Sequence, residues 1–217
     1  MKFAIYDFDG TLLQTQTVPF ILEHWEAVKL TPELFKKIKT RIYIRYLLLK
    51  LKIFGIKKDE FRYWAMAKVG ELFGSISLDQ LSTFLDTLFE KSKTKLHKKV
   101  VKQIQKDKQA GHTTVLVSGN FDVFLERYRH LGFDHIIGTS LFNQQGKVHQ
   151  PLNILTADLK VPSLITHFKT ILWEKTKAYS DSFADIDLLS KVKEAICVTP
   201  DKQLLKHAKA NQWRIIL

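Results

Sequence analysis

Phe3-Ala4-Ile5-Tyr6-Asp7-Phe8-Asp9-Gly10-Thr11-Leu12 is a short apolar, β-prone run that delivers two carboxylates to a Gly-Thr turn. Side chains alternate along a strand, so Asp7 and Asp9 share a side for as long as the extended geometry lasts. Two acids converging at the carboxyl end of a strand can bind a hard cation and act as nucleophile and acid. Taken alone, the stretch is also an Asp-Gly turn with solvated acids. The rest of the chain decides between the two.

Beyond Leu12 the periodicity turns helical, with helices expected over 19–29, 32–54, 58–73, and 78–90 continuing into 95–110. Thr31-Pro32 offers an N-cap and a first-turn proline, Ser77 a second cap, and Gly111 a helix stop. Strands and helices then alternate. Strand 113–117 leads to helix 121–131, strand 135–137, and a hairpin over 141–149 around Asn143-Gln144-Gln145-Gly146. Helix 162–174 and strands 177–180, 195–199 and 213–217 complete the chain. Such alternation predicts an α/β fold, a mostly parallel sheet with helices on both faces and active residues at strand carboxyl ends. Residues 19–90 read as a helical insert with no Gly/Ser linker.

The strand ends form a coherent set. The second strand ends in Val117-Ser118-Gly119-Asn120, Lys160 precedes a later helix, and the following strand ends in Tyr179-Ser180-Asp181-Ser182-Phe183-Ala184-Asp185. Each part has a use in phosphoryl transfer. Asp7 could attack phosphorus and Asp9 could protonate the leaving alkoxide, then deprotonate water. Ser118, with backbone N–H groups at the next helix start, could hold phosphate oxygens. Lys160 supplies fixed positive charge, and Asp181 with Asp7 offers the oxygen ligands Mg2+ prefers. Singly these are a turn, a surface lysine and first-turn acids. Their order and strand-end placement together favour the chemistry.

Asp7-x-Asp9-Gly10-Thr11, Ser118-Gly119, Lys160 and Asp181-x-x-x-Asp185 resemble the four motifs of the haloacid dehalogenase (HAD) superfamily of phosphohydrolases. Tyr179-Ser180-Asp181-Ser182 with Asp185 and Leu188-Leu189, and the tail Val198-Thr199-Pro200-Asp201, are similar to subfamily IB, the relatives of phosphoserine phosphatase. The resemblance implies a Rossmann-like core (1–13 and 96–217) with an inserted α-helical cap (14–95) that closes over substrate. It implies Asp7 as nucleophile and Asp9 as acid/base, with phosphate bound by Thr11, Ser118, Gly119 and Lys160. It also implies Mg2+ held by Asp7, Asp181 and the Asp9 carbonyl, with Asp185 supporting the metal or its waters. Phosphoserine phosphatases carry Ser at the position of Gly10 and a cap-entry Glu at that of Gln16, so the expected substrate is another small or head-group phosphate monoester.

Composition bounds the partners. With 217 residues, 45% of them hydrophobic, the chain can bury a sizeable core, which excludes a disordered chain. The lone Cys197 excludes an intramolecular disulfide and sits in an apolar run as a core thiol. No secretory signal or membrane-length apolar run is visible, so a cytoplasmic protein is expected. The net charge of +12 is concentrated in two places. Residues 29–58 carry ten Lys/Arg against Glu33 alone, and residues 91–108 carry eight lysines against Asp107. Runs of this kind are commonly solvated helix faces, and they also suit an anionic phosphate ester or an anionic membrane surface. They lack the aromatic spacing of a stacking platform, so nucleic acid is not an expected partner. Two other readings stand beside the hydrolase. One is a phosphotransferase using the same aspartyl-phosphate, the other a non-catalytic basic protein binding anionic lipid or nucleic acid.

Overall fold

Strand β1 (Phe3–Tyr6) is buried on both sides, as its unbroken apolar sequence requires. The computed structural model describes residues 1–149 and 152–217. With β2 (Thr113–Phe121), β3 (His135–Thr139), β4 (Lys177–Ser180), β5 (Glu194–Val198) and β6 (Arg214–Ile216) it forms a six-stranded parallel sheet of order β3-β2-β1-β4-β5-β6. The chain reverses its direction of progress at β1, which lies between β2 and β4. That is the crevice where open α/β sheets bind ligands.

Among the described residues the α-helices are α1 (Thr17–Val28), α2 (Pro32–Lys50), α3 (Lys58–Phe73), α4 (Leu78–Ser92), α5 (Lys98–Gln109), α6 (Asp122–Leu125), α7 (Lys160–His167), α8 (Ile186–Lys191) and α9 (Lys202–Ala210). One sheet face buries Phe3, Ile5, Val115 and Val117 with Leu164 of α7, Leu188 and Leu189 of α8, and Leu204 of α9. Tyr6, on the opposite side of β1, bonds to Asp107 of α5. Cys197 is buried in this core, and burial pushes its thiol up to about 11.

Two compact units emerge: Met1–Gln16 with Lys91–Thr139 and Leu155–Leu217, and Thr17–Glu90 with Ser140–Ile154. The first unit holds the whole sheet. The chain leaves it and returns to it at paired positions. Leu13 and Leu96 form an antiparallel bridge, Gln14 N donates to Lys95 O at 2.9 Å and His97 N to Leu12 O at 2.9 Å. A second, shorter excursion is closed where Leu155 N donates to Thr139 Oγ1 at 3.0 Å. The second unit is built round Trp25, whose ring packs on Phe84 (4.8 Å) and Phe73 (5.9 Å) and whose Nε1 donates to Leu30 O. Residues 140–149 and 152–154, assigned to the core from sequence, cluster with this helical unit, where Phe142 and Val148 close a small antiparallel hairpin.

Several elements differ from the sequence expectation for local reasons. Helix 32–54 stops at Lys50, because Lys52 and Phe54 adopt left-handed conformations (φ 56° and 62°). Helices 78–90 and 95–110 are separate, broken where Leu96 pairs with Leu13. Helix 162–174 starts at Lys160 and ends at His167. Ser77 caps α4 reciprocally with Gln80, as its sequence predicts. Thr31 makes no cap bond; its backbone is left-handed (φ 39°) and its hydroxyl lies 3.5 Å from Ser75 Oγ.

Asp107, lost in a lysine run when read from sequence, is buried. Its Oδ2 accepts from Tyr6 (2.6 Å) and Tyr179 (2.5 Å), whose rings stack at 4.2 Å, and its Oδ1 accepts from Lys177 at 3.1 Å. The cluster ties β1 and β4 to α5. Burial raises the Asp107 carboxyl, but hydrogen bonds from Tyr179, Tyr6 and Lys177 outweigh it and hold the pKa below the ordinary value. A carboxyl depressed on folding stabilises above its unfolded pKa and loses that contribution as pH falls through the folded value. Asp107→Asn is therefore expected to cost about 1.5–3 kcal/mol at pH 7. Below pH ~4 the variant should lose less stability than wild type. Thermal melts across that range read both.

Candidate active site

β1 ends at Tyr6, and the chain turns at once: Gly10 N donates to Leu13 O and Leu13 N to Phe8 O. Asp7 leaves the strand with its N–H on Tyr179 O of β4 (3.0 Å). Asp9 enters from the turn rather than along an extended strand, and its Oδ2 accepts from Asn120 Nδ2 at 3.2 Å.

Lys160, the first residue of α7, is buried beneath Asp7. Its Nζ lies 2.6 Å from Asp7 Oδ1 and 2.8 Å from Asp185 Oδ2. Ser180 at the end of β4 donates to the same Asp185 oxygen at 2.6 Å. Burial opposes the Lys160 ammonium, but Asp185 and Asp7 overcome it and keep the lysine charged well above its usual range. Burial raises the Asp7 carboxyl and Asp185 adds to that, while Lys160 pulls it down; the balance is upward.

Thr11 Oγ1 lies 3.3 Å from both Asp7 Oδ2 and Asp181 Oδ1, so one hydroxyl marks where two carboxylates from β1 and β4 converge. Gly10 allows this approach. Its backbone is left-handed (φ 81°), and a β-carbon there would lie 2.1 Å from Asp181 Oδ2. A serine at this position would require Asp181 to move. Two converging carboxylates supply oxygen donors, which fits Mg2+, a cation that takes one or two carboxylates and keeps waters. Among the described residues no group of three or more His, Cys, Asp or Glu side chains could hold a metal ion. Asp185, with both oxygens 2.8 Å from Lys160, is engaged elsewhere.

Ser118 and Gly119 lie inside β2, whose register against β3 shifts between Val117 and Phe121. The sequence reading ended the strand's regular run at Val117 and placed them ahead of a helix at 121; β2 instead runs on through them to Phe121, and α6 opens at Asp122 with four residues. Ser118 is buried and its Oγ accepts from Asn120 N at 3.2 Å. At Gly119 a β-carbon would lie 2.8 Å from Leu155 O, so only glycine fits this backbone crossing.

Sequence reasoning gave no role to three further residues. Asn120 holds Asp9, and Ser180 holds Asp185. Asp201 caps α9 through Gln203 N and Leu204 N and accepts from Phe183 N at 2.9 Å, while its own N–H donates to Asp181 O at 2.8 Å. It fixes the loop that carries Asp181. The Pro-Asp-Lys helix-start signal marked Asp201 in the sequence; nothing local marked its second bond.

A family model described as haloacid dehalogenase-like hydrolase matches residues 4–190. The chain belongs to the haloacid dehalogenase-like hydrolase family. A histidinol-phosphatase of Neisseria meningitidis serogroup C (strain 8013) is 32% identical over 123 residues, which are 52% of this chain and 55% of that protein. The chain thus spans about half the length of this curated relative. A solved Bordetella pertussis Tohama I protein of unknown function superposes with a TM-score of 0.81 at 18% identity, covering 100% of this chain and 98% of that one. A substrate-bound phosphoserine phosphatase gives 0.61 at 18% identity, over 99% and 92% of the two chains. At such identities the likeness to the two solved structures is one of fold.

Proposed function

We propose that this HAD-like hydrolase is a Mg2+-dependent phosphatase that cleaves a small or head-group phosphate monoester through an aspartyl-phosphate. The observation that carries the reading is the buried Asp7–Lys160–Asp185 cluster beside the Asp7–Thr11–Asp181 convergence. It offers one carboxylate, Asp7, to phosphorus while fixed charge and oxygen ligands surround it. The family membership and the histidinol-phosphatase relative support the same class of chemistry.

In this reading an Asp7 oxygen attacks phosphorus, and the ester alkoxide leaves with a proton from Asp9. Asp9 then takes a proton from water, which attacks the phosphoryl group, releases inorganic phosphate and restores Asp7. Asn120, bonded to Asp9, orients the acid for both steps. Lys160 neutralises phosphoryl oxygens, and Asp185 with Ser180 keeps it aimed. Ser118, Thr11 and the backbone at Gly119 hold the remaining oxygens. Asp7, Asp181 and the Asp9 carbonyl would hold Mg2+, which when bound screens the phosphate from the anionic nucleophile.

Phosphate release from an aryl phosphate, and then from a panel of phosphate monoesters, tests the proposal. Turnover is expected with Mg2+ and should fall to background in EDTA, returning when Mg2+ is added back. Equal turnover with and without the metal would refute the metal-dependent mechanism.

A further inference from the structure

The helical unit carries a surface that its own core does not use. α2 buries Phe35, Ile38 and Ile42 on one side. Tyr43, Leu47 and Leu51 recur every four residues, so they share another side, and all are exposed. Ile44, Tyr46, Ile53 and Phe54 extend this surface. Seven of the thirteen large hydrophobic residues exposed among those described fall within residues 43–54. Phe54 is 84% exposed and Leu51 67%, on a turn in which Lys52, Phe54 and Gly55 are left-handed. Isolated exposed apolar residues are ordinary, whereas seven within twelve residues of chain mark an interaction surface.

The charge around it is one-sided. Residues 41–58 contain Arg41, Arg45, Lys50, Lys52, Lys57 and Lys58 and no acid. A groove of about 570 Å3 beside the turn is lined by Arg41, Arg45, Phe54 and Trp64, with Glu60 its acid. The Arg45 guanidinium sits 4.7 Å from the Trp64 ring centroid and Lys50 Nζ 5.4 Å from that of Tyr46. Long basic chains that lie along aromatic and aliphatic surface and end in charge suit a boundary between hydrocarbon and anionic head groups.

We propose that the 41–58 surface docks the protein on an anionic lipid bilayer, with Leu51, Ile53 and Phe54 entering the head-group boundary and the surrounding Lys/Arg pairing with lipid phosphates. The contact is peripheral: no described helix is long and apolar enough to cross a membrane. A second copy of the chain would bring two such basic surfaces together. Nucleic acid would leave Ile44, Leu47, Leu51 and Ile53 without a stacking partner. Lysine-rich patches are also poor cores for protein interfaces.

Co-sedimentation with vesicles of phosphatidylcholine alone and of phosphatidylcholine with phosphatidylglycerol tests this, with circular dichroism and thermal melts checking that every variant folds. Binding is expected to the anionic vesicles, and to weaken at high salt. Lys50→Gln and Lys52→Gln should each lower the partition coefficient about fivefold, and Phe54→Ser on the order of tenfold. No sedimentation of wild type, equal binding to both vesicles, or unchanged binding by folded variants would overturn the proposal. A dimer dissolved by Phe54→Ser without vesicle binding would overturn it in favour of a second copy. None of these readouts depends on hydrolysis, so they stand apart from the phosphatase reading.

Discussion

Asp7→Asn should lower phosphate release by roughly three orders of magnitude or more, with the fold kept. The amide matches the carboxylate in shape but has no anionic oxygen to attack phosphorus. Lys160 keeps its contact with Asp185, so the cation is not stranded. The buried Asp7 carboxyl is already unfavourably placed beside Asp185, and neutralising it relieves that repulsion while losing attraction to Lys160. The two changes oppose, so stability should move by no more than about 1–2 kcal/mol. Phosphate release and thermal melts on the same preparations separate chemistry from folding. Wild type, but not the variant, should also yield a hydroxylamine-labile phosphoprotein when quenched with substrate. Retention of activity in folded Asp7→Asn would remove the aspartyl-phosphate from the mechanism.

Lys160→Met should be the most destabilising single change in the core site. It replaces a buried cation, contacting Asp7 at 2.6 Å and Asp185 at 2.8 Å, with an apolar chain of similar length. Breaking a buried ion pair by removing one partner costs about 3–5 kcal/mol. Two buried acids left without their cation would have pKa values above those of the unfolded chain, so the penalty is largest at high pH and shrinks as they take up protons. The melting temperature of Lys160→Met should therefore rise from pH 8 to pH 5. Adding Asp185→Asn should recover part of the loss, because the two side chains form one network. Activity should stay low in both, since the amide restores no positive charge beside Asp7. A Lys160→Met protein as stable as wild type at pH 8 would show that the cluster is solvated rather than buried.

The sequence made the sheet legible because parallel strands buried on both faces read as unbroken apolar runs. Phe3 to Tyr6 and Ala195 to Val198 are both of that kind. Asp7, Lys160, Asp181 and Asp185 were legible because each follows a strand or opens a helix, where periodicity ends and polar residues stand out. Asn120 and Ser180 were not, because their roles are bonds to Asp9 and Asp185 from other strand ends. Asp107 was misleading for a related reason. Local charge made it one acid among eight lysines, yet Tyr6 and Tyr179, 101 and 72 residues away, draw it into the interior. The end of α2 was also missed, since an apolar run continues past Lys50 while the backbone turns left-handed.

The paired crossings at Leu13/Leu96 and Thr139/Leu155 make the sheet unit a closed circuit with two detours. Each detour begins and ends at neighbouring hydrogen-bonded positions, so a hairpin turn could join the same ends without rerouting a strand. Shortening the larger detour from about eighty residues to about five would reduce loop-closure cost by roughly 2–3 kcal/mol. Asp7, Thr11, Ser118, Lys160 and Asp181 all lie on the circuit itself. Such a chain is modular: what lies on the detours can be exchanged or rebuilt while Asp7, Thr11, Ser118, Lys160 and Asp181 stay where the sheet put them.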